Sequence, residues 1–312
     1  MFCGSQSPAF SCKHETHDLL TLVSTCTFDN FLYTERILHQ MKYKLIALDL
    51  DGTLNTDDKT ITPKTRDALL KAQQQGLIIA LCSARPVPGL YKDMKTLELE
   101  KHHGILIAYN GGKILRAEDK EILHQQIFPR GLAIEVLKHL EHYPVTPIID
   151  DGERFYVTDE NGYMVRHECR NNQMECTEVP SLTDCLNFDL VKILMSVRPE
   201  ELWDMLPQVS KPFEDALVFV RTAPFYIEAM PKGLNKAEGL RRTCELLHIS
   251  PEEVISFGDA ENDLEMIKFS GRGVAMGNAC DALKEAADEV TLTNNEDGIA
   301  HSLERLLTAG GC

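Results

Sequence analysis

The segment that most constrains the fold is an apolar run at residues 44–48 that ends in the pentapeptide Asp-Leu-Asp-Gly-Thr at 49–53. A short apolar run closed by Asp and Gly predicts a buried parallel strand followed by a tight turn. In an open α/β sheet, groups at the carboxyl ends of the strands face the ligand crevice. Two carboxylates held two residues apart repel each other unless positive charge lies against them. A divalent metal and a phosphate ester would give this arrangement a purpose.

Three later segments carry polar groups at the end of a strand or the start of a helix. An apolar run at 77–82 ends in Ser83, another at 254–257 leads to Asp259, and Lys236 begins a predicted helix. A single carboxylate at a strand end is common in proteins. It is uncommon to find, in this order, a carboxylate pair, a hydroxyl, a lysine and an acidic cluster. This combination indicates one shared site.

These four segments resemble the ordered motifs of the haloacid dehalogenase-like hydrolase superfamily. The motifs are an Asp-x-Asp-x-Thr strand end, a Ser or Thr strand end, a Lys, and a Gly-Asp-x-x-x-Asp loop. The stretches at 110–112 and 274–279 also resemble segments of the Cof-type sugar-phosphate phosphatases. The resemblance covers residues 41–312. One departure is Ala84, where these enzymes usually have Gly, so a methyl group approaches the phosphate.

The resemblance implies a catalytic role for two aspartates. Phosphate monoesters resist attack, and a carboxylate nucleophile divides the reaction into transfer and hydrolysis through an aspartyl-phosphate. Asp49 would be this nucleophile, and Asp51 would protonate the leaving alcohol and later accept a proton from water. The second role requires a pKa of Asp51 nearer neutrality than that of a free Asp. Asp49, Asp259 and the backbone carbonyl of Asp51 would bind Mg²⁺, which prefers oxygen ligands.

The remaining site residues follow from the same resemblance. The groups expected to bind phosphate are the amides of Leu50 and Ala84, the hydroxyl of Ser83, the ammonium of Lys236 and the side chain of Asn262. Lys236 would also neutralise Asp49.

Four further residues are expected to support the site. Thr53 would hold Asp51, and Asp263 would orient the site without ligating the metal directly. Arg85 and Asn110 would meet the substrate or a closing cap, or would stabilise their own loops. Lys192, in a predicted strand of the inserted domain, is a weaker candidate of the same kind.

Alternating helix and strand patterns predict an α/β fold with a doubly wound parallel-sheet core of Rossmann-like type. The core is expected at 41–123 and 229–312. An inserted α+β domain is expected at 124–228, where the resembled enzymes carry a C2-type cap. Residues 1–40 are expected to be a poorly ordered extension without catalytic function, because family members typically begin at a Met such as Met41.

Composition excludes several classes of partner. The chain has 312 residues and a net charge of −16, and its pI near 5.1 disfavours nucleic acid and membrane surfaces. An anionic metabolite stays compatible with this charge, because a metal ion and local cations can reverse the potential in one cleft. The ten cysteines form no C-x-x-C pair, and we expect a reducing, cytoplasmic setting. The protein is expected to be a monomer or a homodimer.

The sequence leaves alternatives to a Mg²⁺-dependent phosphatase for small phosphorylated metabolites such as sugar phosphates. A phosphomutase or phosphotransferase of the same superfamily would use the same residues. A protein of another class, a phosphate-responsive switch or binding module akin to response-regulator receivers, would also use Asp and Lys at a parallel sheet. Receivers, however, lack the Asp-x-Asp pair and a large inserted domain.

Overall fold

The computed structural model describes Met1 and residues 42–309, so the expectation for residues 1–40 lies outside the described residues apart from Met1. In chain order the strands of the described part are β1 (Leu45–Leu48), β2 (Ile78–Cys82), β3 (Ile105–Ala108), β4 (Lys113–Arg116), β5 (Ile122–Gln125), β6 (Thr146–Asp150), β7 (Arg154–Val157), β8 (Glu175–Glu178), β9 (Ile193–Ser196), β10 (Leu217–Ala223), β11 (Tyr226–Pro231), β12 (Val254–Gly258), β13 (Arg272–Ala275) and β14 (Glu289–Val290). The helices are α1 (Pro63–Gln74), α2 (Tyr91–Thr96), α3 (Arg130–Leu140), α4 (Val165–Asn172), α5 (Leu182–Cys185), α6 (Leu202–Ser210), α7 (Lys236–Leu247), α8 (Leu264–Phe269), α9 (Asp281–Ala286) and α10 (Gly298–Ala309).

The first sheet has the strand order β14-β13-β12-β1-β2-β3-β4-β5. The fully buried strand β1 pairs in parallel with β12 on one side and β2 on the other. The remaining pairs are parallel out to β14 and β3, whereas β4 and β5 extend the sheet in antiparallel fashion. The chain winds in opposite directions from β1, which places a topological switch point at the end of this strand. The predicted fold class is confirmed.

The second sheet is built from the inserted segment, in the order β10-β11-β9-β6-β7-β8. Its pairs are antiparallel except for the parallel pair of β7 and β8. Helices α3 and α6 cover one face, where Leu137, Ile193, Leu202 and Ile227 share an apolar core. The predicted boundary after residue 123 falls within β5, a strand of the first sheet. The boundary after residue 228 falls within β11, a strand of the second.

Local signals explain where two of the core helices begin. The Thr62 side chain accepts a hydrogen bond from the amide of Thr65 and so caps α1, which ends before Gly76. The Asn235 side chain accepts a bond of 2.8 Å from the amide of Glu238 and so caps α7. This cap places Lys236 at the first position of the helix.

Six elements of the described part were not located from the sequence: β4, β5, β8, α2, α4 and α5. No helix within residues 42–309 is both long and apolar enough to cross a membrane.

Helix α7 lies unusually close to the turn that follows β3. A Cβ atom on Gly239 would lie 2.7 Å from the Cα atom of Gly111 and 2.6 Å from Cγ2 of Ile107. The contact with Gly111 is with backbone, which cannot move aside as a flexible side chain could. Glycine at position 239 therefore lets α7, which begins with Lys236, dock against the sheet.

We expect the substitution Gly239→Ala to lower the free energy of unfolding by about 1–3 kcal/mol, because overpacking outweighs the better helix propensity of Ala. Urea denaturation measures the change. Gly131→Ala is the matched control, since Gly131 lies in α3 and a Cβ atom there would meet nothing within 4 Å. Equal effects of the two substitutions would contradict the close docking of α7.

Candidate active site

Four distant segments of the chain meet in one cleft of about 820 Å³. Asp49 follows β1, Ser83 follows β2 and Asp259 follows β12, so all three lie at the same edge of the parallel sheet. Lys236 reaches this edge from the start of α7. Strand β10 of the second sheet lines the opposite side of the cleft with residues 220–222. The sequence did not predict these three residues as part of the site.

A buried lysine links two of the carboxylates. Lys236 Nζ lies 2.5 Å from Asp49 Oδ1 and 2.6 Å from Asp263 Oδ1. The Lys236 side chain is only 2% exposed. Burial alone would lower the pKa of Lys236, but Asp263 and Asp49 outweigh it and raise that pKa. Lys236 therefore keeps its charge inside the protein.

The carboxylates around this ammonium have perturbed proton affinities. Burial, reinforced by the negative charge of Asp263, raises the pKa of Asp49 well above its usual value, although Lys236 acts in the opposite direction. Burial also raises the pKa of Asp259. One ammonium thus faces three carboxylates and leaves excess negative charge, which favours a further cation in the site.

Asp263 acts as a fixed support within this cluster. Its Oδ1 accepts from Lys236, and its Oδ2 accepts from the amides of Asp259 and Ala260 at 3.0 and 3.1 Å. Both oxygens are therefore engaged by the protein. This is the arrangement expected of a residue that orients the loop beside a metal.

The oxygen atoms of the cluster fit a hard divalent cation. One carboxylate oxygen from each of Asp49, Asp259 and Asp263 lies within 4.8 Å of the others. Because both oxygens of Asp263 are engaged by the protein, Asp49 and Asp259 are the better candidates for direct ligands. The turn between Asp51 and Thr53 approaches closely, because a Cβ atom on Gly52 would lie 2.4 Å from Asp259 Oδ2. Gly52 also has a φ of +84°, which other residues adopt only with strain. The donor set is the one that Mg²⁺ prefers.

The pKa of Asp51 differs from the one that we expected from the sequence. Arg85 binds its carboxylate with two bonds, from Nη2 to Oδ1 at 2.6 Å and from Nε to Oδ2 at 2.8 Å, and Lys59 Nζ lies 2.7 Å from Oδ1. Burial raises the pKa of Asp51, but the bonds from Arg85 and Lys59 outweigh burial and lower it. We expected a pKa nearer neutrality. The ion pairs formed in this conformation explain the difference.

Arg85 also connects the core to the inserted domain. Its Nη1 donates to the backbone carbonyl of Asn171 at 2.9 Å, and its Nη2 donates to Oδ1 of the same residue at 3.1 Å. Asn171 lies on α4 of the inserted domain. The contact of Arg85 with both Asp51 and the cap combines two of the roles that the sequence left open.

A second connection involves a buried ion pair. Lys192 Nζ lies 2.6 Å from Glu228 Oε1, and it donates to the carbonyl of Ala84 at 3.0 Å. Lys192 and Glu228 side chains are each 5% exposed. Burial would lower the pKa of Lys192, but Glu228 and Glu168 raise it. The turn that contains Ala84 is thereby fixed to the inserted domain.

Glu228 was not predicted as part of the site, and Lys192 was only a weak candidate for a substrate contact. The only feature of the sequence that indicated Lys192 is its position next to the apolar run of β9.

The cleft is lined by four of the five residues predicted to bind phosphate: Ser83, Ala84, Lys236 and Asn262. Leu50 is fully buried, so only its backbone amide could act. Ser83 is buried, and its Oγ accepts from the amide of Arg85 at 3.2 Å. Ala84 and Asn262 both line the cleft, and Asn262 is exposed.

Two predicted supporting residues have partners that the sequence did not specify. Thr53 Oγ1 donates to Asp259 Oδ1 at 2.7 Å, and not to Asp51 as we expected. Asn110 is buried at the cleft wall with a φ of 53°, and its Oδ1 has no hydrogen-bond partner within the described part of the chain. An unpaired acceptor that is buried in this way is uncommon in a protein interior.

A further residue of the site was missed. Asn278 Nδ2 donates to the carbonyl of Gly52 at 2.8 Å, and its Oδ1 accepts from the amide of Asn294. Asn278 therefore ties the turn at 51–53 to the segment that follows the sheet. The available signals were its place after the strand at 272–275 and the resemblance of the stretch at 274–279 to Cof-type phosphatases.

A family model for haloacid dehalogenase-like hydrolases matches residues 46–303. The chain belongs to this family. The 5-amino-6-(5-phospho-D-ribitylamino)uracil phosphatase YitU of Bacillus subtilis (strain 168) is 31% identical over 275 residues, covering 85% of this chain and 98% of that protein.

Solved structures agree with this assignment. A haloacid dehalogenase-like hydrolase from Bacteroides thetaiotaomicron has a TM-score of 0.81 and 34% identity over 85% of this chain and 100% of its own. The sugar phosphatase BT4131, of HAD subclass IIB, has a TM-score of 0.69 and 25% identity over 84% of this chain and 98% of its own. The resemblance found in the sequence and the predicted enzyme class are both confirmed.

We expect Lys236→Met to lower the free energy of unfolding by about 3–5 kcal/mol, because Asp49 and Asp263 stay buried without their cation. Chemical denaturation measures the loss. Lys236 lowers the pKa of Asp49, so without this lysine the pKa of Asp49 in the folded state rises further above its unfolded value. The deficit should therefore shrink as the pH falls and Asp49 is protonated.

The matched control is Lys268→Met, which removes a half-exposed lysine that lies 3.4 Å from Glu265. We expect the control to change stability by less than about 0.5 kcal/mol. A Lys236→Met protein as stable as the control protein would contradict the buried charge cluster.

Proposed function

We propose that this protein is a Mg²⁺-dependent phosphatase that hydrolyses small phosphorylated metabolites, sugar phosphates first, through an aspartyl-phosphate. The observation that carries the proposal is the Asp49 carboxylate at the floor of the cleft, held by Lys236 beside Asp259. The names of its relatives support the class of substrate, since YitU and BT4131 are phosphatases of a phosphorylated ribityl compound and of sugars.

The reaction would proceed in two displacements at phosphorus. In the first, an oxygen of Asp49 bonds to phosphorus while the bond to the leaving oxygen breaks, and Asp51 donates its proton to that oxygen. In the second, water attacks phosphorus, Asp51 takes a proton from the water, and the bond to Asp49 breaks. Inorganic phosphate leaves, and both carboxyls return to their starting states.

Lys236 would contribute to both displacements. Its ammonium is already desolvated and lies against Asp49, so it needs no rearrangement to offset charge on the phosphoryl oxygens. Preset charge of this kind is usually the largest contribution to catalysis of phosphoryl transfer. The hydroxyl of Ser83 and the amides of Leu50 and Ala84 would complete the phosphate site.

Asp51 must change partners before it can act as an acid. It is bound to Arg85 and Lys59, which favour its ionised form, whereas proton donation requires the protonated form. Substrate binding would have to separate the Asp51 carboxyl from these cations and direct it to the leaving oxygen. Because Arg85 also binds Asn171, this change would be linked to movement of the inserted domain.

The carboxylates of Asp49 and Asp259, with the backbone carbonyl of Asp51, would hold Mg²⁺. Bound there, the ion would offset the charge of the phosphoryl group and help to orient it. Asp263 would hold Lys236 and the loop of Asp259 in place.

The cleft volume supports small substrates. About 820 Å³ is within the range of small-molecule sites, and residues 220–222 of the inserted domain lie across from the carboxylates. A protein substrate would have to displace this domain. Arg221, which is exposed and lies over the ring of Trp203, offers a cation to the leaving group.

We expect Asp49→Asn to reduce the turnover of an aryl phosphate and of hexose phosphates by about 10³-fold or more, because an amide cannot replace the nucleophile. Release of inorganic phosphate is the measurement. Asp58→Asn is the control, since Asp58 is exposed in the nearby loop and should keep full activity.

Undiminished turnover by Asp49→Asn would exclude the proposed nucleophile. Movement of the phosphoryl group to another hydroxyl of the hexose, without release of phosphate, would favour a phosphotransferase instead.

Removal of divalent cations with a chelator should abolish activity, and added Mg²⁺ should restore it, because the excess carboxylates of the cleft would then face the phosphate alone. The same titration on Asp259→Asn should require a higher Mg²⁺ concentration for half-maximal activity. Full activity of the chelated protein would contradict a role for the metal.

A further inference from the structure

A second cavity, of about 360 Å³, lies beside the catalytic cleft on the far side of Arg85. We call it the basic pocket. Its lining comes from three parts of the chain: the loop after β1, the segment from Arg85 through α2, and helix α4 of the inserted domain. The cationic side chains in the lining are Lys59, Arg85, Lys92, His167 and Arg170. A ligand in this pocket would contact both the core and the inserted domain.

The pocket concentrates positive charge in an acidic protein. Its lining holds four permanent cations and one carboxylate, Asp93, while the whole chain has a net charge of −16. Two other carboxylates lie nearby, since Asp51 pairs with Lys59 and Arg85, and Glu168 is buried on α4. With both of these counted as ionised, the lining still has an excess of cations.

Several of these cations have unused donors. Arg85 is engaged by Asp51 and Asn171, whereas Lys92 Nζ gives only one bond within the described residues, to the carbonyl of Lys59 at 2.6 Å. The guanidinium of Arg170 has no hydrogen bond or ion pair to any residue in the described part of the chain.

The pKa of His167 is affected by the cations of the basic pocket. Burial lowers its pKa, and the charges of Arg170, Lys59 and Arg85 lower it further. These three cations therefore act on one small region.

We propose that the basic pocket binds a second anionic group of the substrate, a phosphate or carboxylate carried by the leaving group. The inference rests on the proposed function, because it assigns the leaving-group side of the same reaction. Arg85 forms the shared wall, and the leaving oxygen must reach Asp51, which Arg85 and Lys59 hold at that wall. An anion in the pocket competes with Asp51 for these two cations and so releases its carboxyl toward the leaving oxygen.

The test compares a hexose 1,6-bisphosphate with the corresponding hexose 6-phosphate by release of inorganic phosphate. The wild-type protein should show about tenfold higher kcat/KM for the bisphosphate, which corresponds to about 1.4 kcal/mol and to one charge-assisted hydrogen bond. Arg170→Gln and Lys92→Gln should each remove most of this preference and leave the monophosphate reaction unchanged. Both residues are exposed, so unchanged thermal unfolding midpoints will show that the variants fold.

Arg166→Gln is the matched control. Arg166 lies on the same helix but is exposed and bonds to Glu160 and Asn161, outside the pocket. This control should keep the wild-type preference.

A second arm of the experiment distinguishes an attached anion from a free one. If the wild-type protein shows no preference for the bisphosphate, but sulfate alters monophosphate turnover in a manner that Arg170→Gln abolishes, the pocket binds a free anion. Equal bisphosphate preference in all proteins, with no sulfate effect that depends on Arg170, would overturn the proposal.

Failure of the proposed function would have a different signature. A protein that hydrolyses neither hexose phosphate would contradict the phosphatase assignment. Calorimetric titration of the bisphosphate into the wild type and Arg170→Gln would still test the pocket, with weaker binding to the variant expected and equal binding contradicting it.

Discussion

The site depends on one buried ammonium that holds together carboxylates from distant parts of the chain. Lys236 lies at the first position of α7 and bonds to both Asp49 and Asp263, although 187 residues separate it from Asp49. Removing these charges from water costs several kcal/mol per ion unless geometry and hydrogen bonds compensate. The compensation requires α7 to dock closely against the sheet, which glycine at position 239 allows. The same cluster retains excess negative charge, and that excess suits a divalent cation.

The turn at 83–85 joins the chemistry of the core to the position of the inserted domain. Its Ala84 carbonyl accepts a bond from Lys192, and its Arg85 guanidinium bonds at once to Asp51 and to Asn171. The same turn would supply a hydroxyl and an amide to the phosphate. A shift of the inserted domain would therefore alter the positions of the phosphate-binding groups and of Asp51, the proposed general acid. In a buried polar network, a group that loses its hydrogen-bond partner is energetically costly. Displacement of one residue therefore tends to displace its partners as well.

The parts of the site that were predictable are local in sequence. Asp49 and Asp259 could be placed because each follows an apolar run, and parallel strands end at one edge of a sheet. Partners across the fold could not be placed, since nothing local indicates that Thr53 donates to Asp259 or that Arg85 binds Asp51 and lowers its pKa. Helix α4 escaped prediction because its residues are polar at nearly every position and show no apolar period. Its formation depends on contacts with the second sheet, and with α4 the basic pocket was missed as well.

The most direct measurement of the central claim is a crystal structure of the protein with Mg²⁺ and orthovanadate, an oxyanion that imitates a phosphoryl group in transfer. We expect the metal about 2.0–2.1 Å from carboxylate oxygens of Asp49 and Asp259. We also expect vanadium opposite the free oxygen of Asp49, with Lys236 Nζ within hydrogen-bond distance of the oxyanion. Metal or vanadate bound elsewhere, with Lys236 turned away from Asp49, would contradict it.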